Sequence, residues 1–140
     1  MPQKFKNYIG GEWREPASTR YFESLNPART GDVIGQFPES SSSDVDQAVS
    51  AAKRAFATWS RVPAPQRGEV LRKIGDLLTA RKNELAFEMT REMGKPFNET
   101  RGDVQEAIDT AYYAASETRR LFGYTVPSEL PDKFNMTIRR

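Results

Sequence analysis

The segment at residues 93–100, MGKPFNET, holds a Gly-Lys pair of the kind that contacts phosphate in nucleotide-binding loops. Such a loop needs a further glycine in the preceding turn, so that successive backbone N–H groups point inward, and a Ser or Thr after the lysine to bind the metal. No residue from 88 to 93 is glycine, and Pro96, which has no hydroxyl, follows Lys95. The segment therefore does not fit a phosphate-binding loop. Gly94 followed by Pro96 predicts the end of a helix instead.

Two chemically versatile residue types are missing from the chain. It has no cysteine and no histidine among its 140 residues. This excludes disulfides, thiolate zinc sites, thiol nucleophiles and the usual proton shuttle at neutral pH from these residues. Carboxylates are present at Glu92, Glu99, Asp103 and Glu106, but they alternate with basic residues as on solvated helix faces. We therefore assign no residue of this chain to catalysis or to cofactor binding.

The charges are numerous but balanced, with 21 basic and 19 acidic residues that interleave along the chain. Nucleic-acid binding needs basic residues gathered on one face beside aromatic residues or a known motif, and this arrangement is not visible despite a pI near 9.0. The opening MPQKFKNY lacks the apolar stretch of a signal peptide, and no segment approaches the roughly 18 apolar residues of a membrane span. We expect a cytoplasmic protein without nucleic-acid or membrane partners.

The apolar content is low for a chain of single-domain length. Apolar residues make up 37% of the sequence and the mean hydropathy is −0.71. Typical domains contain about 45–50% apolar residues when glycine is included. We therefore expect a core that is incomplete until a partner covers it.

The first 37 residues predict two short β-hairpins. In YIGGEW, at residues 8–13, Gly10 and Gly11 lie between two short apolar runs and supply the positive φ angles of a tight turn. A second β unit spans residues 20–25 and 33–37, with a turn at residues 26–32 that contains Asn, Pro and Gly. These strands are too short to be stable alone.

Residues 40–123 change to a helical period and predict four helices, at residues 43–60, 65–80, 82–93 and 98–122. Ser43 with Asp46 resembles an acidic capping box at the start of the first helix, and Gly123 is expected to end the fourth. Three glycines within these patterns each cost about 1 kcal/mol relative to alanine, which suggests close backbone contacts or simple tolerance. They are Gly68, Gly75 and Gly102.

The residues after Gly123 predict a linker followed by a strand. Two prolines in residues 125–131 indicate an extended linker, and the alternation of apolar and polar residues at 133–140 indicates a half-buried strand. A strand without a partner leaves its backbone groups unpaired unless another chain or further sequence supplies one. We therefore expect this strand to pair outside the chain.

Four segments in this order resemble the N-terminal region of the NAD(P)-dependent aldehyde dehydrogenase superfamily, and the resemblance covers nearly the whole chain. They are YIGGEW (8–13), SLNPARTGDVIG (24–35), DVDQAVSAAKRAFATWSRVPAPQRGEVL (44–71) and EMGKPFNETRGDVQEAID (92–109), and the chain closes with TIRR. Each segment is weak evidence alone, but their order and spacing are specific.

The resemblance implies an α/β aldehyde dehydrogenase-like fold in the full protein, in which this chain is a helix-rich N-terminal segment with hairpins and a C-terminal strand. Residues 1–122 would belong to the cofactor-binding domain. Residues 123–140 would form a linker and the first strand of a bridging element used for homo-oligomerisation through residues 133–140. The partners implied are the rest of the polypeptide and further copies of it.

The same resemblance implies NAD or NADP in the full-length protein and none bound to this chain alone. The catalytic Cys, the general-base Glu, the oxyanion-hole Asn and the Gly-containing cofactor loop of the family would lie beyond residue 140. Some members hold a monovalent cation at positions that correspond here to Ser24 and Glu92, whose oxygens suit a hard cation. The arginine in the loop at 26–31 lengthens that turn relative to the commoner family form, which changes the geometry near Ser24.

Two aromatic residues late in the fourth predicted helix, Tyr112 and Tyr113, are first interpreted as core residues because aromatic side chains bury well. In some relatives, helix residues at this point approach the entrance of the substrate tunnel. The resemblance identifies neither the aldehyde nor the choice between NAD and NADP.

Two functions from different classes follow. The chain is the N-terminal portion of an enzyme that oxidises an aldehyde to a carboxylic acid, and is inactive alone. Alternatively, it is an independent interaction or assembly module that uses exposed helix faces and the strand at 133–140.

Overall fold

The computed structural model describes residues 2–138. Within these residues, four short strands in two hairpins are followed by four helices and by two strands in a final hairpin. This confirms the predicted helix-rich architecture with short N-terminal hairpins. The elements are β1 (Asn7–Ile9), β2 (Glu12–Arg14), β3 (Tyr21–Leu25), β4 (Val33–Pro38), α1 (Ser42–Trp59), α2 (Ala64–Ala80), α3 (Lys82–Met93), α4 (Phe97–Glu117), β5 (Thr125–Pro127) and β6 (Phe134–Met136).

The first hairpin, β1–β2, turns at the predicted glycine pair. Gly10 and Gly11 have φ angles of 63° and 90°, a conformation in which a Cβ is strained. Tyr8 lies opposite Trp13 in the register, and their rings are 4.9 Å apart. A Cβ on Gly10 would lie 3.7 Å from Ala51 of α1, so the turn rests against that helix.

The second hairpin, β3–β4, is antiparallel and gains a third short segment from the N-terminus. Phe22 lies opposite Phe37 in the register. The Gln36 carbonyl accepts a hydrogen bond from the Phe5 amide at 2.9 Å, and the Gln36 amide donates to the Gln3 carbonyl at 2.8 Å. Phe5 also stacks on Phe37 with centroids 4.7 Å apart. The N-terminal residues therefore cover one edge of β4.

The cap of α1 lies two positions before the predicted one, so the Ser43–Asp46 interpretation is wrong. Ser41 donates its backbone N–H to the Asp44 carboxylate at 2.8 Å and its hydroxyl at 2.9 Å. The same carboxylate accepts the Ala17 amide at 2.9 Å, and Asp44 is only 5% exposed. The bond to Ala17 selects this cap because it ties α1 to the loop between the two hairpins.

The helices α2 and α4 pack closely through two of the three glycines. A Cβ on Gly75 would lie 2.9 Å from the Tyr112 ring, and one on Gly68 would lie 2.9 Å from the Ala115 carbonyl. The suspected backbone contacts are therefore confirmed at these two positions. At Gly102 a Cβ would meet nothing within 4 Å, so the suspected close contact there is wrong.

The buried centre of the helical region lies between α3 and α4. Thr100 is fully buried and donates its hydroxyl to the Ala86 carbonyl at 2.9 Å, which joins the two helices. An apolar cluster surrounds this bond, formed by Ala86, Val104, Ile108, Leu78, Leu85 and Met89.

The two predicted glycine helix ends have different outcomes. Gly94 ends α3 with a φ of 73°, and its amide donates to the Thr90 carbonyl at 2.9 Å, as predicted. The fourth helix ends at Glu117, before the predicted end at Phe122 and Gly123. The Thr118 hydroxyl donates to the Ala115 carbonyl at 2.6 Å and satisfies a carbonyl of the last turn.

The C-terminal region is a hairpin, which corrects the linker interpretation of residues 125–131. Thr125–Pro127 forms β5 and pairs antiparallel with Phe134–Met136, so the partner of the predicted strand lies within the chain. Pro127, which has no amide hydrogen, is tolerated because it lies at the end of an edge strand. The predicted strand at 133–140 is confirmed for residues 134–136, and its last two residues lie outside the described part.

The core of the described part is small, as the composition predicts. Its buried apolar residues are Ile9, Ala86, Val104, Ile108 and Ala111. By contrast, Trp13 and Phe56 are each 67% exposed. Across residues 2–138, no helix combines the length and the apolar character that crossing a membrane requires.

Candidate cation site and adjoining surfaces

The two residues of the expected cation site lie on segments that meet in the structure. Ser24 is half-buried near the end of β3, and Glu92 is exposed in the last turn of α3. An ion pair joins these segments: Arg91 contacts the Asp32 carboxylate through Nη2 at 2.8 Å and through Nε at 3.2 Å. Within residues 2–138, no hydrogen bond joins Ser24 directly to Glu92.

The turn that follows Ser24 is fixed by its own side chains. The Asn26 side chain accepts the Ala28 amide at 3.0 Å and donates to Asp32 at 3.2 Å. A Cβ on Gly94 would lie 3.0 Å from the Pro27 ring, so this turn rests on the end of α3. The longer loop at 26–31 is therefore ordered by local bonds and by the helix end beneath it.

The ion pair at this junction is strongly held in its charged form. The hydrogen bond from Arg91, followed by the one from Asn26, lowers the pKa of Asp32 to about 2, against an opposing effect of burial. The hydrogen bond to Asp32 raises the pKa of Arg91 in turn. Because Asp32 is engaged by a guanidinium, it acts as a structural anion rather than a free ligand for a cation.

The donor chemistry at Ser24 and Glu92 suits a hard monovalent cation, since both side chains offer oxygen. No cluster of three or more His, Cys, Asp or Glu residues that could hold a metal ion exists in the described range 2–138. The Ser24–Glu92 site therefore stays a prediction.

Two further basic residues of the helices form structural pairs. Lys95 contacts Asp103 at 2.7 Å, and this hydrogen bond raises the pKa of Lys95. Arg72 contacts both Glu69 and Asp76 at 2.9 Å, and the bond to Glu69 raises the pKa of Arg72. The raised pKa values keep Lys95 and Arg72 charged, which is the opposite of what a general acid or base near neutral pH requires.

The two tyrosines of α4 have different environments. Tyr112 is 37% exposed, packs on Gly75 and donates its hydroxyl to Asp76 at 2.8 Å. Tyr113 is 64% exposed, so its interpretation as a core residue is wrong. Because adjacent helical positions point about 100° apart, the packing that holds Tyr112 leaves Tyr113 on the surface.

Sequence reasoning missed the Asp32–Arg91 pair and the buried Asp44. Arg91 and Asp32 are 59 residues apart, and neither belongs to a local motif. The only local signal at Asp44 is its spacing from Ser41, which competes with the equally spaced Ser43 and Asp46. Both contacts depend on tertiary packing that the sequence pattern does not reveal.

The sequence matches one protein family over most of its length. The sequence model for the aldehyde dehydrogenase family matches residues 13–140. A curated relative, malonate-semialdehyde dehydrogenase 2 from Bacillus cereus, is 45% identical over 126 residues, which is 90% of this chain and 26% of the relative. The chain thus spans about a quarter of the length of the curated relatives it matches.

Solved structures agree in both fold and sequence. An NAD-dependent aldehyde dehydrogenase from Sinorhizobium meliloti superimposes with a TM-score of 0.89 at 32% identity, over 97% of this chain and 28% of that one. A succinate-semialdehyde dehydrogenase from Burkholderia pseudomallei superimposes with a TM-score of 0.87 at 35% identity, over 93% of this chain and 27% of that one. With its hairpins, helices and sequence all matching, the chain belongs to the aldehyde dehydrogenase family and corresponds to an N-terminal segment of these enzymes.

Proposed function

We propose that this chain is the scaffold segment of a cytoplasmic, NAD(P)-dependent aldehyde dehydrogenase that oxidises an aldehyde to a carboxylic acid. Residues 1–122 form part of its cofactor-binding domain, and residues 123–140 form the start of its bridging element. The supporting observation is that the chain superimposes on 28% of a longer aldehyde dehydrogenase with a TM-score of 0.89, while it has no cysteine of its own.

The residues present assign a positioning role to this chain and the catalytic groups to the rest of the polypeptide. The nucleophilic thiol and the general base would come from the rest of the polypeptide, and the bound cofactor would accept a hydride from the substrate. The described residues supply positioning: the α2–α4 contact and the Asp32–Arg91 pair hold helices and hairpins in fixed relation. By itself, the chain is expected to be inactive and to bind no cofactor.

The substrate class is proposed from the relatives. The curated relatives at 41–45% identity are named malonate-semialdehyde dehydrogenases, and one of the structural matches is a succinate-semialdehyde dehydrogenase. A short aldehyde with a second, carboxylate end is therefore the first substrate to test. Both NAD and NADP remain candidate cofactors, because matched structures include an NAD-dependent enzyme and a complex with NAP.

Two further features belong to this proposal. Ser24 and Glu92 would provide oxygen ligands for a monovalent cation, together with ligands from the rest of the polypeptide. Residues 133–140 would contact further copies of the enzyme, because within the described residues β6 (Phe134–Met136) pairs only with β5 and its other edge can accept another strand.

A chimera tests the enzymatic function. Residues 1–140 replace the matching segment of the Bacillus cereus relative, and reduction of NAD⁺ or NADP⁺ is followed with malonate semialdehyde. We expect the chimera to be active, and both the isolated chain and the relative without this segment to be inactive. A folded chimera without activity, or turnover by the pure 140-residue chain, would contradict the proposal.

The second candidate function is an independent interaction module. The observation that favours it is the exposed apolar surface of α1, where Val45 is 57% and Phe56 67% exposed. Size-exclusion chromatography with light scattering separates the two functions. A module predicts a defined, stable oligomer of the isolated chain, whereas a scaffold segment predicts heterogeneous association that disappears in the chimera.

A further inference from the structure

One face of α2 combines apolar residues with a half-buried arginine whose Nε is shielded from solvent. Arg67, Val70, Ile74 and Leu77 follow one another at spacings of three and four residues, so they share one side of the helix, here called the Arg67 face. Val70 is 46%, Ile74 42% and Leu77 63% exposed. A different side of α2, the one with Gly68 and Gly75, packs closely on α4. The Arg67 face is therefore not covered by α4.

Arg67 is unusual among the arginines of this chain. Its Nε is shielded from solvent and has no hydrogen-bond partner anywhere in residues 2–138. Other guanidinium groups reach carboxylates, as Arg72 does at Glu69 and Asp76 and Arg91 does at Asp32. A buried donor of a charged group is costly unless an acceptor compensates for the lost water. The Arg67 face therefore lacks one specific component, an anionic or strongly polar acceptor.

We propose that the Arg67 face is a docking surface for the rest of the longer polypeptide. A carboxylate side chain from that part contacts the Arg67 guanidinium, and apolar side chains surround the pair. This inference rests on the proposed function. A guanidinium presents Nε and a terminal nitrogen side by side, so one carboxylate can accept both hydrogen bonds. The three exposed apolar residues then exclude water around the pair, which strengthens it.

A second copy of the chain fits this face less well. In a two-fold symmetric contact the same patch meets itself, so two Arg67 side chains would approach each other. The Arg67 face as defined contains no acidic residue to balance them, and the two acids elsewhere on α2, Glu69 and Asp76, pair with Arg72. Two like charges, each with a shielded and unpaired Nε, would oppose the contact. The matched chains, of which this one covers 28%, supply enough further polypeptide to cover the face instead.

The test compares Arg67→Met in two settings, the isolated chain and the chimera with the Bacillus cereus relative. In the chimera, Arg67→Met removes the proposed pair and leaves a buried carboxylate, so the Tm should fall by roughly 5 °C or more. In the isolated chain the same change replaces an unpaired buried donor by an apolar side chain of similar length, so the Tm should stay the same or rise. If that chain gives no sharp thermal transition, the midpoint of urea unfolding replaces the Tm.

A matched control is Lys73→Met, which removes a positive charge from an exposed position of the same helix. It should change the Tm of the isolated chain and the Tm of the chimera by no more than about 1 °C each. Arg67→Lys keeps the charge but loses the planar fork, so it should give an intermediate fall in the chimera.

Two outcomes would overturn the inference: an equal fall in both settings, which would place the role of Arg67 within this chain, or no fall in the chimera. The proposed function is judged separately by aldehyde oxidation in the unsubstituted chimera. A folded but inactive chimera would therefore contradict the function while the Tm comparison still decides the docking surface. A chimera that does not fold would contradict both.

Discussion

At the scale of single residues, the best-defined contact between distant segments is the ion pair of Asp32 with Arg91. It joins the β3–β4 turn to the end of α3 through two hydrogen bonds, and both side chains are only about a quarter to a third exposed. Partial burial and the paired geometry distinguish it from the surface ion pairs of α2 and α3, which contribute little. The expected cation ligands Ser24 and Glu92 lie on the two segments that it joins.

The lowered pKa of Asp32 predicts an acid-dependent contribution to stability. The native pKa is about 2 and the ordinary value is 3.8, so the folded protein binds this proton less tightly than the unfolded chain. The contribution is therefore complete above about pH 5 and is lost as the pH falls towards 2. Asp32→Asn should lower the Tm by a few degrees at pH 7, and most of the difference from the unsubstituted protein should be lost near pH 2.

The control for this experiment is Asp132→Asn, which removes the same charge from an exposed turn. It should leave the Tm unchanged at both ends of this range. A difference between Asp32→Asn and the unsubstituted protein that stayed constant from pH 7 to pH 2 would show that the charge of Asp32 is not the source of the effect.

The residue contacts were the least predictable part of the chain. The run of serines before α1 offers several equivalent caps, and the choice of Ser41 with Asp44 depends on the amide of Ala17, which is 27 residues away from the acid. Sequence spacing contains no information about that bond. The unpaired Nε of Arg67 is likewise visible only when the neighbouring side chains are in place.

At the scale of elements, glycines set how close α2 and α4 approach. Gly68 and Gly75 lie seven residues apart on the same side of α2 and face Ala115 and Tyr112 of α4. The helix propensity lost at each glycine is offset by the packing that the missing side chain permits. Gly102 has the same propensity cost and no such contact.

This contrast predicts opposite effects of two identical substitutions. Gly68→Ala should destabilise the chain by about 1–3 kcal/mol, because its Cβ would press on the Ala115 carbonyl and the Thr118 side chain. Gly102→Ala should stabilise it by about 0.5–1 kcal/mol through helix propensity alone. Urea unfolding of both variants measures the two free energies. Changes of the same sign at both positions would contradict this account of the α2–α4 contact.

Elements with a strong period were predictable, and elements defined by their ends or partners were not. The helix at residues 82–93 was predicted with its observed limits because apolar periodicity and Gly94 agree. The end of α4 was predicted too late, because Gly123 is a strong stop signal in the sequence. The hydrogen bond from Thr118 to the Ala115 carbonyl, which accompanies the earlier end, has no such signal. The strand β5 was missed because prolines suggest a linker, although Pro127 fits at a strand end.

At the scale of the whole molecule, apolar surface is distributed far beyond the small core. Large exposed side chains occur on every helix and on the final hairpin, among them Trp59, Ile74, Phe87, Tyr113 and Phe134. A monomeric protein of this size seldom leaves so many exposed. The low apolar content of the sequence predicted a lean core, but the composition could not show which faces remain open.

The exposed surface predicts how the isolated chain behaves in solution. We expect it to bind the dye ANS strongly and to unfold over a broad temperature range, because its small core removes little apolar area from solvent. The chimera should bind less dye per chain and unfold sharply. A single sharp calorimetric transition of the isolated chain without dye binding would show that its core is complete after all.

The capping of α1 by Asp44 has a consequence for how the molecule opens. Asp44 and Gly10 connect this helix to the hairpin loops, whereas α2, α3 and α4 share the buried cluster around Thr100. Fluctuations that detach the first helix therefore need not disturb the other three. Helices α2, α3 and α4 are expected to stay together when α1 detaches, and a protease should cleave the chain first at residues 60–63, between α1 and α2.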